Sequence, residues 1–168
     1  MSAEEQILSS SQQRLWAIDQ LEDGSPHYNI PNVLDVVGYL NLKACEQAFR
    51  EVVCRHTVLR TCILADRQGN PTIKVKNADD FILHIVDLTK VADAEKAQKV
   101  EEHVAENTSG IFNLSKDFML RVSVVLTENN KCIISATMHH IASDAWSMDI
   151  LLKEFRKYYE SFCRNTAF

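Results

Sequence analysis

The stretch Met138-His139-His140-Ile141-Ala142-Ser143-Asp144-Ala145-Trp146-Ser147 decides how this chain is read. An apolar run, Cys132 to Met138, leads into two adjacent histidines. An aspartate stands four residues after the second histidine, and an apolar-striped segment opens at Met148. The pattern is that of a strand, a tight loop and a helix, with the histidine pair at the strand's exit. Side chains alternate along a strand, so the two histidines should point to opposite faces. One can then enter a cleft while the other packs or makes a hydrogen bond. Imidazole is the side chain best matched to proton transfer near neutral pH. On spacing alone, a structural turn accounts for the pair equally well. Zinc fits less well. Helical zinc spacing places two histidines at i and i+4, whereas His139 and His140 are neighbours and Cys132 lies back along the strand.

Working outward, Leu120 to Thr127 and Lys131 to Met138 form a hairpin around Asn129-Asn130, a favoured turn composition. Glu128 then faces Lys131 as a favourable cross-strand pair. Downstream, Ser147 is placed to cap a helix whose stripe is Met148, Leu151, Leu152, Phe155, Tyr158, Tyr159 and Phe162. That stripe is core, or a surface for a neighbour outside the chain.

Towards the amino end, residues 9 to 22 form a helix. Ser9 and Ser10 are N-cap candidates, with Gln12 and Gln13 three residues after each, as in a capping box. Gly24-Ser25-Pro26 is a loop, and a strand runs from Val33 to Val37. Asn41 caps a second helix, whose buried stripe is Leu42, Cys45, Phe49, Val52 and Val53. His56 reads as a helix-end residue, favourable near the C-terminal dipole. Arg60 lies at the start of an apolar strand, where a buried arginine needs a carboxylate; Asp144 is the candidate partner. A turn at Gln68-Gly69-Asn70-Pro71 leads to a short strand, Thr72 to Val75. Another strand spans Phe81 to Val86. Residues 90 to 108 are a helix with a solvated face of lysine and glutamate, stopped at Ser109-Gly110.

The order is therefore α-β-α-β-β-β-α-β-β-α, with no repeat, low-complexity segment or linker inside residues 9 to 162. Interleaved helices and strands imply an α/β sandwich, one mixed sheet with helices packed on it. At 168 residues the chain is long enough for one domain with a real core. Apolar content of 46% and charged content of 24% are ordinary for a soluble globular protein. With 18 basic and 23 acidic residues the net charge is −5, which argues against nucleic acid or an anionic membrane as partner. No apolar run reaches transmembrane length, and the start, Met-Ser-Ala-Glu-Glu, has no signal-peptide pattern. The five cysteines lack close spacing and read as reduced residues of a cytoplasmic protein.

His139-His140-x-x-x-Asp144 resembles the HHxxxDG signature of condensation domains from nonribosomal peptide synthetases. A shorter version is shared with chloramphenicol acetyltransferases. Ala145 stands where the family has glycine. Leu8 to Trp16 resembles the opening motif SxAQxRLW, with Ser11 in place of alanine. Tyr28-Asn29-Ile30-Pro31 resembles a further family segment. Arg55 to Ile63 resembles RHExLRTxF, with Thr57 for glutamate and Ile63 for phenylalanine. Phe112-Asn113-Leu114 and Met119-Leu120-Arg121 are similar to "FDL…PLLR", with Asn113 for aspartate and Phe118 for proline. These motifs stand in the family's order and cover essentially the whole chain.

The resemblance implies that residues 1–168 are the N-terminal, chloramphenicol-acetyltransferase-like lobe of a condensation domain, with a second lobe absent from the chain. It implies amide-bond formation in a tunnel between lobes. Donor and acceptor peptidyl carrier proteins present phosphopantetheine arms there, and this chain itself binds no cofactor and no metal. His140 would accept a proton from the attacking amine or position it. His139 would orient the loop, and Asp144 would shape it through a salt bridge. The glycine replaced by Ala145 allows close backbone approach or an unusual φ. Two other readings stand beside this one. A non-catalytic partial condensation domain would dock a carrier protein or a recruited enzyme. A free-standing acyltransferase fits less well, since it would not show the SxAQxRLW-like opening.

Overall fold

The computed structural model describes residues 8–143 and 145–164; for residues 145 and 146 it describes the backbone alone. The elements are α1 (Ser10–Glu22), β1 (Asn29–Val37), α2 (Leu42–Arg55), β2 (Thr61–Ala65), β3 (Pro71–Val75), β4 (His84–Asp87), α3 (Asp93–Ser109), β5 (Leu120–Glu128), β6 (Lys131–His139) and α4 (Ala145–Cys163). Their order matches the order read from the sequence. The helix starts follow from local chemistry. The Ser9 hydroxyl accepts from the Gln12 amide N–H at 3.2 Å, while Gln12 Oε1 accepts from the Ser9 N–H at 3.0 Å. This is a reciprocal capping box. Asn41 Oδ1 accepts from the Ala44 N–H at 3.1 Å and starts α2.

Four strands form one mixed sheet in the order β1-β6-β5-β4. β1 and β5 run antiparallel to β6, and β4 runs parallel to β5. The hairpin closes as expected, with Lys131 Nζ 2.8 Å from Glu128 Oε1. Among the described residues, β2 and β3 pair only with each other, as a separate two-stranded sheet, which corrects the expectation of a single sheet. The physical reason is that the loop before β5 occupies part of β2's other edge: the Ile63 N–H donates to Leu114 O at 2.8 Å.

Other boundaries also shift. β1 begins at Asn29 and includes Pro31, which lacks a ladder donor but is tolerated on an edge strand. The fourth strand starts at His84, because a 3-10 turn at Ala78–Asp80 delivers Phe81 into the core instead. Arg60 ends a 3-10 turn, Thr57–Arg60, that precedes β2. α4 begins at Ala145, so Ser147 lies inside its first turn rather than capping it.

Alternation along the strands divides the molecule into layers. Ile134, Ala136 and Met138 of β6, with Leu120, Val122 and Val124 of β5, face the main core. That core is roofed by Cys45, Phe49, Val52 and Val53 of α2 and by Met148 and Leu151 of α4. Phe49 stacks on Phe155 at 4.1 Å between centroids, joining the two helices. Ser135, Thr137 and His139 therefore face the opposite way, towards α3, where Thr137 Oγ1 donates to the buried Asn107 Oδ1 at 2.8 Å. A second cluster joins Leu8 and Trp16 to Ile63, Phe112, Leu114, Met119 and Ile141. It docks α1 against the turn that follows the histidine pair. Among the described residues, no helix is long and apolar enough to cross a membrane. Cys45, Cys62 and Cys132 are buried, Cys54 and Cys163 are exposed, and all five are free thiols.

Candidate functional site

β6 ends at His139, and the chain turns at once. His139 is 1% exposed, whereas the His140 residue is exposed. The buried ring has a defined proton arrangement. Its Nδ1 accepts from the Ile141 N–H at 3.1 Å, so Nδ1 carries the lone pair and Nε2 carries the proton. Nε2 has no hydrogen-bond partner among the described residues. Tyr28 and Phe112 flank the ring, with centroids at 6.0 and 5.6 Å. Burial, and secondarily the neighbouring His140, pushes the His139 pKa down to about 4. His139 is thus neutral at physiological pH, and its lone pair is spent on the backbone.

The turn itself is held from several sides. The His140 N–H donates to Tyr28 O at 2.8 Å, and the Ala142 N–H to His139 O at 3.0 Å. Ser143 Oγ also donates to His139 O at 3.0 Å. From α1, Gln12 Nε2 donates to Ile141 O at 3.2 Å. These contacts fix the backbone and leave His140 exposed at the surface.

Asp144 lies outside the described residues, as does the side chain of Ala145, so the expected pairing of Arg60 with Asp144 falls outside them too. Arg60 Nη1 donates to the Lys76 carbonyl at 2.9 Å, and its buried Nε has no hydrogen-bond partner among the described residues. His56 caps the end of α2 and meets Glu154 of α4, Nε2 to Oε2, at 2.6 Å. Arg55 Nε reaches the other oxygen of Glu154 at 3.1 Å. This carboxylate ties α2 to α4 beside a cavity of about 130 Å³ lined by His56, Leu59, Met138, Ala142, Ser147 and Leu151. Among the described residues, no group of three His, Cys, Asp or Glu could hold a metal ion.

Two supporting residues were not singled out as such from the sequence. Arg121 donates to the carbonyls of Asn107, Gly110 and Ile111 at 3.1 to 3.2 Å and to that of Glu106 at 3.4 Å. It thereby caps the carboxyl end of α3. Gly110 makes room for it, since a Cβ there would lie 2.6 Å from Arg121 Nη1. Asn29 Nδ2 adds donations to Thr108 O and Gly110 O, both at 2.9 Å. The Arg121 guanidinium lies 4.3 Å over the Phe112 ring, and Phe112 meets His139 edge-on. The available signal was an arginine at the start of an otherwise apolar strand.

The profile of the condensation-domain family matches residues 2–167. One of the linear gramicidin synthase subunits of Brevibacillus parabrevis is 35% identical over 160 residues, 95% of this chain and 3% of that protein. The starter condensation domain of rhizomide synthetase RzmA superposes with a TM-score of 0.83 at 20% identity, over 96% of this chain and 38% of that one. The X-domain solved in complex with OxyB from teicoplanin biosynthesis gives a TM-score of 0.84 at 24% identity, over 99% and 35%. The chain belongs to the condensation-domain family of nonribosomal peptide synthesis. It spans only a small part of the curated synthetases it matches, and its share of the solved chains fits one lobe.

Proposed function

We propose that this chain supplies the histidine face of a site that joins two carrier-bound building blocks through an amide bond. The observation that carries the reading is the division of labour in the pair: a buried, neutral His139 locks the turn, and His140 is presented beside it. Residues 1–168 form the first lobe in this reading, and a second lobe provides the facing wall. Donor and acceptor carrier proteins bring their substrates on phosphopantetheine arms, so the chain itself holds no cofactor.

In the reaction, the acceptor's amine nitrogen attacks the donor's thioester carbonyl. The C–N bond forms, the C–S bond breaks, and the thiol leaves on the donor arm. The amine must shed a proton after attack, and an imidazole within hydrogen-bonding reach takes it or holds the amine in line. His140 fills that role. Backbone N–H groups near the motif loop stabilise the developing oxyanion, while Asp144, Arg60 and the backbone at Ala145 shape the loop.

The test is His140→Ala in the intact synthetase, with single-turnover measurement of the condensed thioester. General acid–base contributions are typically about 10²–10⁴-fold, so the step should slow by that order while carrier-protein affinity stays nearly unchanged. Condensation at the wild-type rate, with chemistry rate-limiting, refutes the role.

A second reading, a non-catalytic docking module, is favoured by Ala145 in place of glycine and by the likeness to an X-domain solved in complex with OxyB. A wild-type protein that binds loaded carriers yet forms no product in the intact assembly selects it.

A further inference from the structure

The amide of Gln12 serves two partners at once. Its Oε1 accepts from the Ser9 N–H at 3.0 Å, which completes the cap of α1. Its Nε2 donates to the Ile141 carbonyl at 3.2 Å, across a sequence separation of 129 residues. One partner is a donor and the other an acceptor, so the two ends of the amide cannot be exchanged.

The second bond matters because of where Ile141 sits. Its own N–H is taken by His139 Nδ1, and its side chain is 5% exposed in the cluster that contains Leu8 and Trp16. Residue 141 is thus held at its nitrogen by His139 and at its carbonyl by Gln12. His140 is the residue between His139 and this anchor, and its N–H is held by Tyr28 O. Without the Gln12 donor, the peptide after Ile141 keeps its apolar contacts and the Ala142 N–H bond to His139 O but loses one of the two hydrogen bonds that set its rotation.

We propose that Gln12 is a positioning residue for His140, acting through the Ile141 carbonyl. The proposal rests on the reading of His140 given above. Two substitutions separate the two jobs of the amide. Gln12→Glu keeps an acceptor for the Ser9 N–H and puts negative charge at a helix N-terminus, where it is favourable; an ionised carboxylate cannot donate to Ile141 O. Gln12→Lys keeps a donor that can reach the carbonyl but gives up the acceptor that completes the cap.

The experiment is single-turnover and steady-state condensation by the intact synthetase carrying each substitution, alongside His140→Ala, with melting temperatures of all variants. A displacement of about 1 Å at a reacting group can cost up to about 10²-fold. Gln12→Glu should therefore lower kcat by about tenfold, with KM for the acceptor carrier and the melting temperature nearly unchanged. Gln12→Lys should show the reverse pattern, near-wild-type kcat with a lower melting temperature. If kcat follows melting temperature across both variants, Gln12 is structural only and the proposal is overturned. If Gln12→Glu turns over at the wild-type rate while His140→Ala is slow, the proposal fails and the reading of His140 stands. If His140→Ala is also at the wild-type rate, the reading of His140 fails first.

Discussion

His139 is a titratable group kept from titrating. The ordinary histidine pKa is 6.5, and burial brings this one to about 4. Between those values the unfolded chain binds a proton that the folded chain refuses, so folding weakens as pH falls. The contribution of His139 to stability is complete above pH 6.5 and is lost progressively down to about pH 4. The difference corresponds to about 3 kcal/mol. Urea unfolding at pH 7 and at pH 4.5 should therefore show a larger loss in the wild type than in His139→Phe, which removes the titration. Equal losses would show that the group is not held neutral. Imidazole nitrogen spectra should also report an Nε2–H tautomer at pH 7 with no titration above about pH 5. At this scale alternation made it legible that one histidine is buried and its neighbour is not. The Nδ1 acceptor bond was not legible, because it depends on the turn's backbone path rather than on residue types.

At the scale of elements, α3 is the least self-evident piece. Its sequence announces a helix with a charged face, yet what fixes its end comes from elsewhere: Arg121 on β5 and Asn29 on β1 donate to its last carbonyls. Hydrogen bonds to a charged group contribute about 1.5–3 kcal/mol each, and several on one group are not additive. Arg121→Met keeps the apolar stem and removes the donors; it should cost about 2–3 kcal/mol by chemical denaturation. Faster amide exchange should be confined to the last turn of α3 and residues 110–112. Gly110→Ala should act in the same direction, since its Cβ would displace the guanidinium. A uniform rise in exchange across the sheet would argue against this local role. The helix stripes of α2 and α4 and the β5–β6 hairpin were legible from periodicity and turn chemistry. The separate β2–β3 sheet and the late start of β4 were not. Both depend on long-range partners: the loop carrying Leu114 for β2, and the burial of Phe81 for β4.

For the whole molecule, the free edge of β1 sets the expectation. No described strand pairs with the side of β1 away from β6, and Val33, Val37 and the following Tyr39 are 46%, 76% and 86% exposed. Exposed apolar residues along an unpaired edge favour association. Residues 1–168 purified alone should fold, because both faces of the sheet are covered by helices and the main core is closed. They should self-associate in sedimentation, and Val37→Lys with Tyr39→Lys should reduce this. They should form no condensed thioester from loaded carriers, as read by intact-mass spectrometry. A one-sided site leaves His140 in bulk water, without fixed arms or a low-dielectric cleft. Product above the protein-free control would make one lobe sufficient.

The manner in which α3 is attached has a bearing on how this lobe can change. Asn107 is the one fully buried residue of α3 among the described residues, and the clamps at its end grip carbonyl oxygens, which every residue type provides. The helix is therefore fastened by its main chain and by the Asn107 side chain, and most of its other side chains carry no information the fold requires. Its outer surface can be rewritten, by natural divergence or by an engineer adding charge or a labelling handle, while the Phe112 and His139 rings below it stay where they are.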